Sequence, residues 1–80
     1  MAIHESEPLN YEVLEECGTI SRSGEWEMKL RYMSWKGRDP RYDLRRWKKI
    51  EGGKERCGKG ITLTGEEVKE LKKLLDDLEG

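Results

Sequence analysis

From Trp26 to Trp35 the chain runs in two interleaved series. Trp26, Met28, Leu30 and Tyr32 hold one set of alternate positions, and Glu27, Lys29, Arg31, Met33 and Trp35 hold the other. Successive side chains of a strand point to opposite faces, so this pattern predicts a β-strand with one apolar face and one basic face ending in an indole. Arg41 to Trp47 repeats it, with Tyr42 and Leu44 on one face and Arg41, Asp43, Arg45 and Trp47 on the other. Lys36-Gly37-Arg38-Asp39-Pro40 between them has Gly and Pro placed to turn the chain, which predicts an antiparallel hairpin. If both apolar faces are pinned to a common core, the register puts Lys29, Arg31 and Trp35 on the same surface as Arg41, Arg45 and Trp47.

Tyr11 to Ile20 reads as an earlier strand, in which Leu14 breaks the alternation and Gly18 permits a bulge. Ser21-Arg22-Ser23-Gly24 supplies the turn that follows. Lys48 to Arg56, with Gly52-Gly53 and four basic residues besides, predicts a flexible cationic loop able to close over a bound strand. Gly58 to Leu63 reads as a fourth strand that directs Ile61 and Leu63 at the core. Strict alternation would send Lys59 there too, and the flanking glycines predict a bulge that turns it outward. Thr64 and Glu67 stand at capping-box spacing, and Val68, Leu71, Leu74, Leu75 and Leu78 recur at helical spacing. The expected helix covers the sheet's apolar face with this stripe and leaves Lys69, Glu70, Lys72, Lys73, Asp76 and Asp77 in solvent. The fold class is α+β, with residues 1–10 a flexible tail and 11–80 a single domain.

Charge changes this picture more than composition does. The net charge is only -1, yet residues 22–60 carry +7 and all three tryptophans, while residues 1–21 carry -5 and 61–80 carry -3. A bland total conceals a segregated basic block. Eighty residues make one small domain, which buries only about 60% of the surface its unfolded chain exposes, and a second copy is the simplest source of further burial. No apolar run approaches the ~20 residues needed to cross a bilayer, and the acidic N-terminus is unlike a signal peptide, which predicts a cytoplasmic protein. Cys17 and Cys57 lack the close spacing of a redox or zinc motif and read as reduced, partly buried thiols.

Basic residues interleaved with aromatics on extended segments suit a surface that tracks phosphates and stacks on exposed bases. In this reading Lys29, Arg31, Arg41, Arg45 and Lys59 neutralise phosphates, Trp35 and Trp47 stack on bases, Trp26 belongs to the core, and Asp43 orients Arg41 or Arg45. Single-stranded DNA or RNA is then the expected partner, bound with little sequence preference. A protein-interaction module whose basic face takes an acidic partner is the alternative. An enzyme is not expected: the single histidine, His4, lies in the tail, and the sequence has no nucleophile–base pairing, phosphate loop or metal-ligand cluster. Neither a cofactor nor a small-molecule substrate is implied.

Ser34-Trp35, Pro40-Arg41-Tyr42-Asp43-Leu44-Arg45, Trp47 and Gly58-Lys59-Gly60-Ile61-Thr62-Leu63 together resemble the single-stranded DNA-binding domain of the transcriptional positive cofactor 4 family, closest to its small bacterial members of the YdbC type. The likeness runs from about Tyr11 to the C-terminus. It implies a curved four-stranded antiparallel sheet with one C-terminal helix, a homodimer, single-stranded nucleic acid lying across the strands, no enzymatic activity, and contacts from Arg45, Trp47 and Lys59. The segment Lys48 to Cys57 is longer and more basic than that type suggests, and no contact is assigned to it.

Overall fold

The computed structural model describes residues 10–79. Four strands, β1 (Tyr11–Ser23), β2 (Trp26–Trp35), β3 (Arg41–Lys49) and β4 (Glu55–Leu63), form one antiparallel sheet in sequential order, and helix α1 (Gly65–Glu79) follows. The expected four-stranded α+β architecture is the observed one. Of the tail expected at residues 1–10, only Asn10 lies within the described residues, and its carbonyl accepts a hydrogen bond from Lys36 N.

β2 has the expected bounds, whereas β1, β3 and β4 run longer than the pattern suggested, and the pairing of β1 and β4 is irregular. β1 slips against β2 at three places, leaving Leu14, Cys17 and Ile20 as extra residues that break the alternation. Leu14, Ile20 and Cys17 are accordingly exposed, so the Cys17 thiol is not the partly buried one expected; Cys57 is half-buried, and both are free. The segment read as a flexible loop, Lys48 to Arg56, is strand at both ends and a tight turn between them. β3 continues to Lys49, a single 3-10 turn spans Glu51–Gly53, and β4 begins at Glu55. Gly52 and Gly53, at φ 84° and 77°, adopt the left-handed backbone that makes so tight a turn possible.

Between β3 and β4 the register shifts once: Arg45 pairs with Gly60, but Trp47 pairs with Cys57. Gly58 and Lys59 thus stand together opposite Arg46, the bulge expected at the glycines. Its effect differs from the expectation. Counting from Cys57 on one side and Gly60 on the other, alternation puts both bulge residues on the face of Arg46, so Lys59 lies across the sheet from Arg45.

The larger correction concerns which face is packed. The residues at 0–3% exposure are Arg31, Met33, Asp43 and Trp47, all from the series expected to face solvent. Among the described residues no second layer lies over this inner face; its long side chains bury one another. The outer face carries Trp26, Leu30, Tyr32, Tyr42 and Leu44, all only half-buried. Tyr32 and Tyr42 meet there with ring centroids 4.8 Å apart, a directly paired aromatic couple.

The helix does not cover the outer face as expected. Its N-terminus is formed as the sequence dictates, with Thr64 N donating to Glu67 Oε1 at 2.8 Å and Glu67 N donating to Thr64 Oγ1 at 3.1 Å. Beyond that start it touches β3 and β4 only sparingly. Leu74 and Leu75 remain more than half exposed and Leu78 is 81% exposed. The apolar stripe exists, but within one chain it has little to pack on.

Candidate nucleic-acid interface

The inner face is organised around two stacked indoles. Trp35, last in β2, and Trp47, in β3, lie nearly parallel at 10° with centroids 6.3 Å apart. Tyr11 of β1 tilts against both, at 5.2 Å from Trp35 and 5.4 Å from Trp47. Each indole also carries a guanidinium: Arg31 Cζ stands 4.6 Å from the Trp47 ring centre and Arg45 Cζ stands 5.1 Å from that of Trp35. The two indoles differ in access. Trp35 is half-buried, whereas Trp47 is 2% exposed and its Nε1 has no acceptor among the described residues. In the single chain Trp47 is thus a floor beneath the site rather than the open stacking surface expected of it.

Asp43 fixes the upper part of the stack. Its carboxylate accepts from Trp35 Nε1 at 3.1 Å and from Arg45 Nε and Nη2 at 2.9 and 3.0 Å. Arg45 Nη1 reaches further, donating to the Gly58 carbonyl at 3.2 Å. The sequence pointed to Asp43 as an orienting group, and the structure resolves its partner as Arg45 and adds Trp35. Arg45 can lie this close to β4 because residue 60 is glycine; a Cβ there would come within 2.5 Å of both Arg45 Cβ and Leu44 O.

Acids compensate the cations deeper in this face. Arg31 donates Nε to Glu16 at 3.0 Å and a bidentate pair from Nη1 and Nη2 to Glu55, both at 3.2 Å. Lys29 Nζ lies 3.6 Å from both Glu27 and Glu55. Burial acts to raise the Glu55 carboxyl, but the hydrogen bonds from Arg31 and the charges of Arg31 and Lys29 outweigh it and hold the group below its ordinary value of 4.5. For Arg31 burial acts to lower the pKa, and its hydrogen bonds to Glu55 and Glu16, with their charges, more than reverse it. Lys29 and Arg31 are therefore already paired, and only displacement of Glu16, Glu27 and Glu55 would offer them to a phosphate.

The open part of the face lies at the β2–β3 connection. A cleft of about 860 Å³ is lined by Trp35, Arg41, Arg45 and the connection Lys36–Asp39, whose Asp39 is the one acid among four cations, together with Met33, Cys57 and Thr62. Lys36 and Arg38 are exposed cations that sequence reasoning treated as turn residues only. Their position inside the basic block was the available signal. The turn is held firmly: Arg38 N donates to Trp35 O at 2.9 Å, Ser34 Oγ donates to Arg38 O at 2.7 Å, and Lys36 sits in the left-handed region at φ 53°. At the opposite end a smaller hollow of about 130 Å³ is bordered by Glu25, Glu27 and Glu55 against Lys29 and Lys49. The seven expected contact residues thus divide. Trp35, Arg41 and Arg45 converge on the cleft, Lys29, Arg31 and Trp47 lie outside it on the same face with both cations paired to acids, and Lys59 lies on the other face.

Two comparisons with known proteins bear on this arrangement. The chain is 39% identical over 74 residues to an uncharacterized protein of Treponema pallidum (strain Nichols), an alignment covering 91% of this chain and 84% of that protein. The profile of the family described as Transcriptional Coactivator p15 (PC4) matches residues 23–74, from the end of β1 through most of α1 and across every residue lining the cleft. On that match, the chain belongs to the Transcriptional Coactivator p15 (PC4) family.

Proposed function

We propose that this protein binds single-stranded nucleic acid, DNA in the first instance, at the cleft between Trp35 and Arg45, with little preference for sequence and without catalysis. The observation that carries this reading is the Trp35 ring, held in place by Asp43 and rimmed by Lys36, Arg38, Arg41 and Arg45. Phosphates have the exposed cations Lys36, Arg38 and Arg41 to follow, with Arg45 held beside them by Asp43, and a base has one pre-oriented indole on which to stack, an interaction worth about 1–3 kcal/mol per base. A duplex keeps its bases stacked internally and offers nothing to the indole, so single strands are preferred. Membership of the PC4 family supports the same reading.

The working form in this proposal is a cytoplasmic homodimer serving transcription, replication or repair. Leu71, Leu74, Leu75 and Leu78 on α1, with Ile61 on β4, present exposed apolar area on a domain too small to leave it unused. A second copy would bury that stripe.

Titration of the intrinsic tryptophan fluorescence with oligo-dT of about 20 nucleotides, beside a matched duplex, tests the site. Quenching by the single strand, little response to the duplex, and loss of quenching in Trp35→Leu are expected. Arg41→Ala should flatten the dependence of log K on log salt by about 0.7, the contribution of one phosphate on a single strand. No response to oligo-dT would overturn the reading and leave the cleft to an acidic protein segment.

A further inference from the structure

The outer face changes character along its length. Near α1 it is apolar, with Tyr32, Tyr42, Leu44 and Ile61. Towards the β3–β4 turn it is cationic. The register sets Lys48 directly opposite Arg56, Arg46 lies two residues along on the same face, and the bulge adds Lys59 beside it. Like charges facing each other across a strand pair repel, and nothing about the fold requires them here. Lys48 has one carboxylate nearby, Glu25 at 3.0 Å, but Glu25 is 75% exposed and that pair is a weak surface contact. Arg46, Arg56 and Lys59 are exposed and have no carboxylate partner among the described residues. The inner cations Lys29, Arg31 and Arg45, by contrast, are all paired.

This cluster lacks an open aromatic plane. The Trp26 ring is half-buried, lies 3.0 Å from where a Gly58 Cβ would stand, and has Lys48 Nζ 5.9 Å from its centre. The surface is therefore built for charge without stacking, which fits a sugar-phosphate backbone and not its bases. It also stands back to back with the cleft. β4 is the edge strand, Cys57 and Thr62 line the cleft from its inner side, and Arg56 and Lys59 project from its outer side. Gly58 and Gly60, which carry no side chains, flank Lys59 at the edge between the two.

We propose that Arg46, Lys48, Arg56 and Lys59 form a second phosphate site, which takes the continuation of the same single strand after it leaves the cleft and crosses the edge of β4 at Gly58–Gly60. The proposal rests on the cleft being the primary site. It makes binding biphasic in length: a short oligomer fills the cleft alone, and a longer one also engages the outer cations.

The full chain and its R46A/R56A variant would be titrated by fluorescence anisotropy with end-labelled oligo-dT of about 6 and about 20 nucleotides, over a range of salt. For the shorter oligomer the variant should match the parent. With the longer one it should bind about tenfold more weakly at low salt, with a salt slope shallower by about 1.4, the share of two phosphates. R46Q/R56Q, which keeps side-chain bulk, should behave alike and guards against a packing defect. Unchanged binding of the longer oligomer would overturn the proposal and assign the cluster to another partner, such as an acidic protein segment. Equal weakening at both lengths would also overturn it, because the cluster would then be no separate site. If the parent binds neither oligomer, the cleft reading itself fails, and the second site fails with it.

Discussion

Trp35 Nε1 donates to Asp43 Oδ2 at 3.1 Å, and the carboxylate that receives it is fully buried while also holding Arg45. One acid thereby sets both the plane of the half-buried Trp35 indole and the position of the guanidinium over it. Asp43→Ala should lower unfolding stability by about 3 kcal/mol, the range seen when one partner of a buried pair is removed. It should also weaken oligo-dT binding even under conditions where the variant is fully folded. Urea denaturation and fluorescence titration of the same sample would separate the two effects.

The pair between Arg31 and Glu55 makes stability depend on acid. The Glu55 carboxyl titrates below its ordinary value of 4.5 in the folded chain, so near that pH the unfolded state binds more protons and acid favours unfolding. The contribution is complete above about pH 4.5 and is lost as pH falls through the depressed folded value. Urea midpoints measured from pH 7 down to pH 3 should fall in this window. Glu55→Gln should start lower at neutral pH and show a shallower fall.

Two glycines of β4 should differ in their tolerance. A Cβ at residue 60 meets Leu44 O and Arg45 Cβ at 2.5 Å, one of them backbone, whereas at residue 58 it meets the edge of the Trp26 ring at 3.0 Å. Gly60→Ala should therefore cost about 2–3 kcal/mol and Gly58→Ala about 1 kcal/mol, on the scale of overpacked sites. Thermal melts of the two variants would rank them. Equal losses would mean that the sheet edge, not Arg45, sets the need for glycine.

Sedimentation addresses the leucine stripe of α1. At micromolar concentration the parent should sediment at twice the 9.4 kDa chain mass. Leu74→Glu with Leu78→Glu should shift the protein towards a single chain. Since both side chains are already more than half exposed in one chain, the substitutions should leave the folded sheet intact.

The elements were legible because their signals are local. Alternation in Trp26 to Trp35, the Gly/Pro connection at 36–40 and the Thr64–Glu67 box each act over a few residues, and all three appear where expected. Which face is packed was not legible. Period two says which residues share a side, but the choice of side rests on partners distant in sequence: Glu16 and Glu55 neutralise Arg31, and Tyr11 roofs the indoles. With those acids in place, Arg31 is buried and Trp47 lies under it. Glu55 was hidden further, since it stands in a segment whose glycines and charges resemble a loop. Lys59 shows the same limit. A bulge was foreseeable from Gly58 and Gly60, but the side on which it leaves the lysine follows from where the register resumes.

That bulge also gives β4 one residue to spare. Removing Gly58 or Lys59 would leave a single residue opposite Arg46 and a regular ladder, with Arg56 still outward and Glu55 still inward. Removing Arg56 instead would carry Glu55 to the outer side, and the buried Arg31 would lose its bidentate carboxylate. Deletions should thus be accepted in the short turn at 51–54 and at the bulge and refused between Glu55 and Cys57, so that spacing is as much a part of the site as the side chains are.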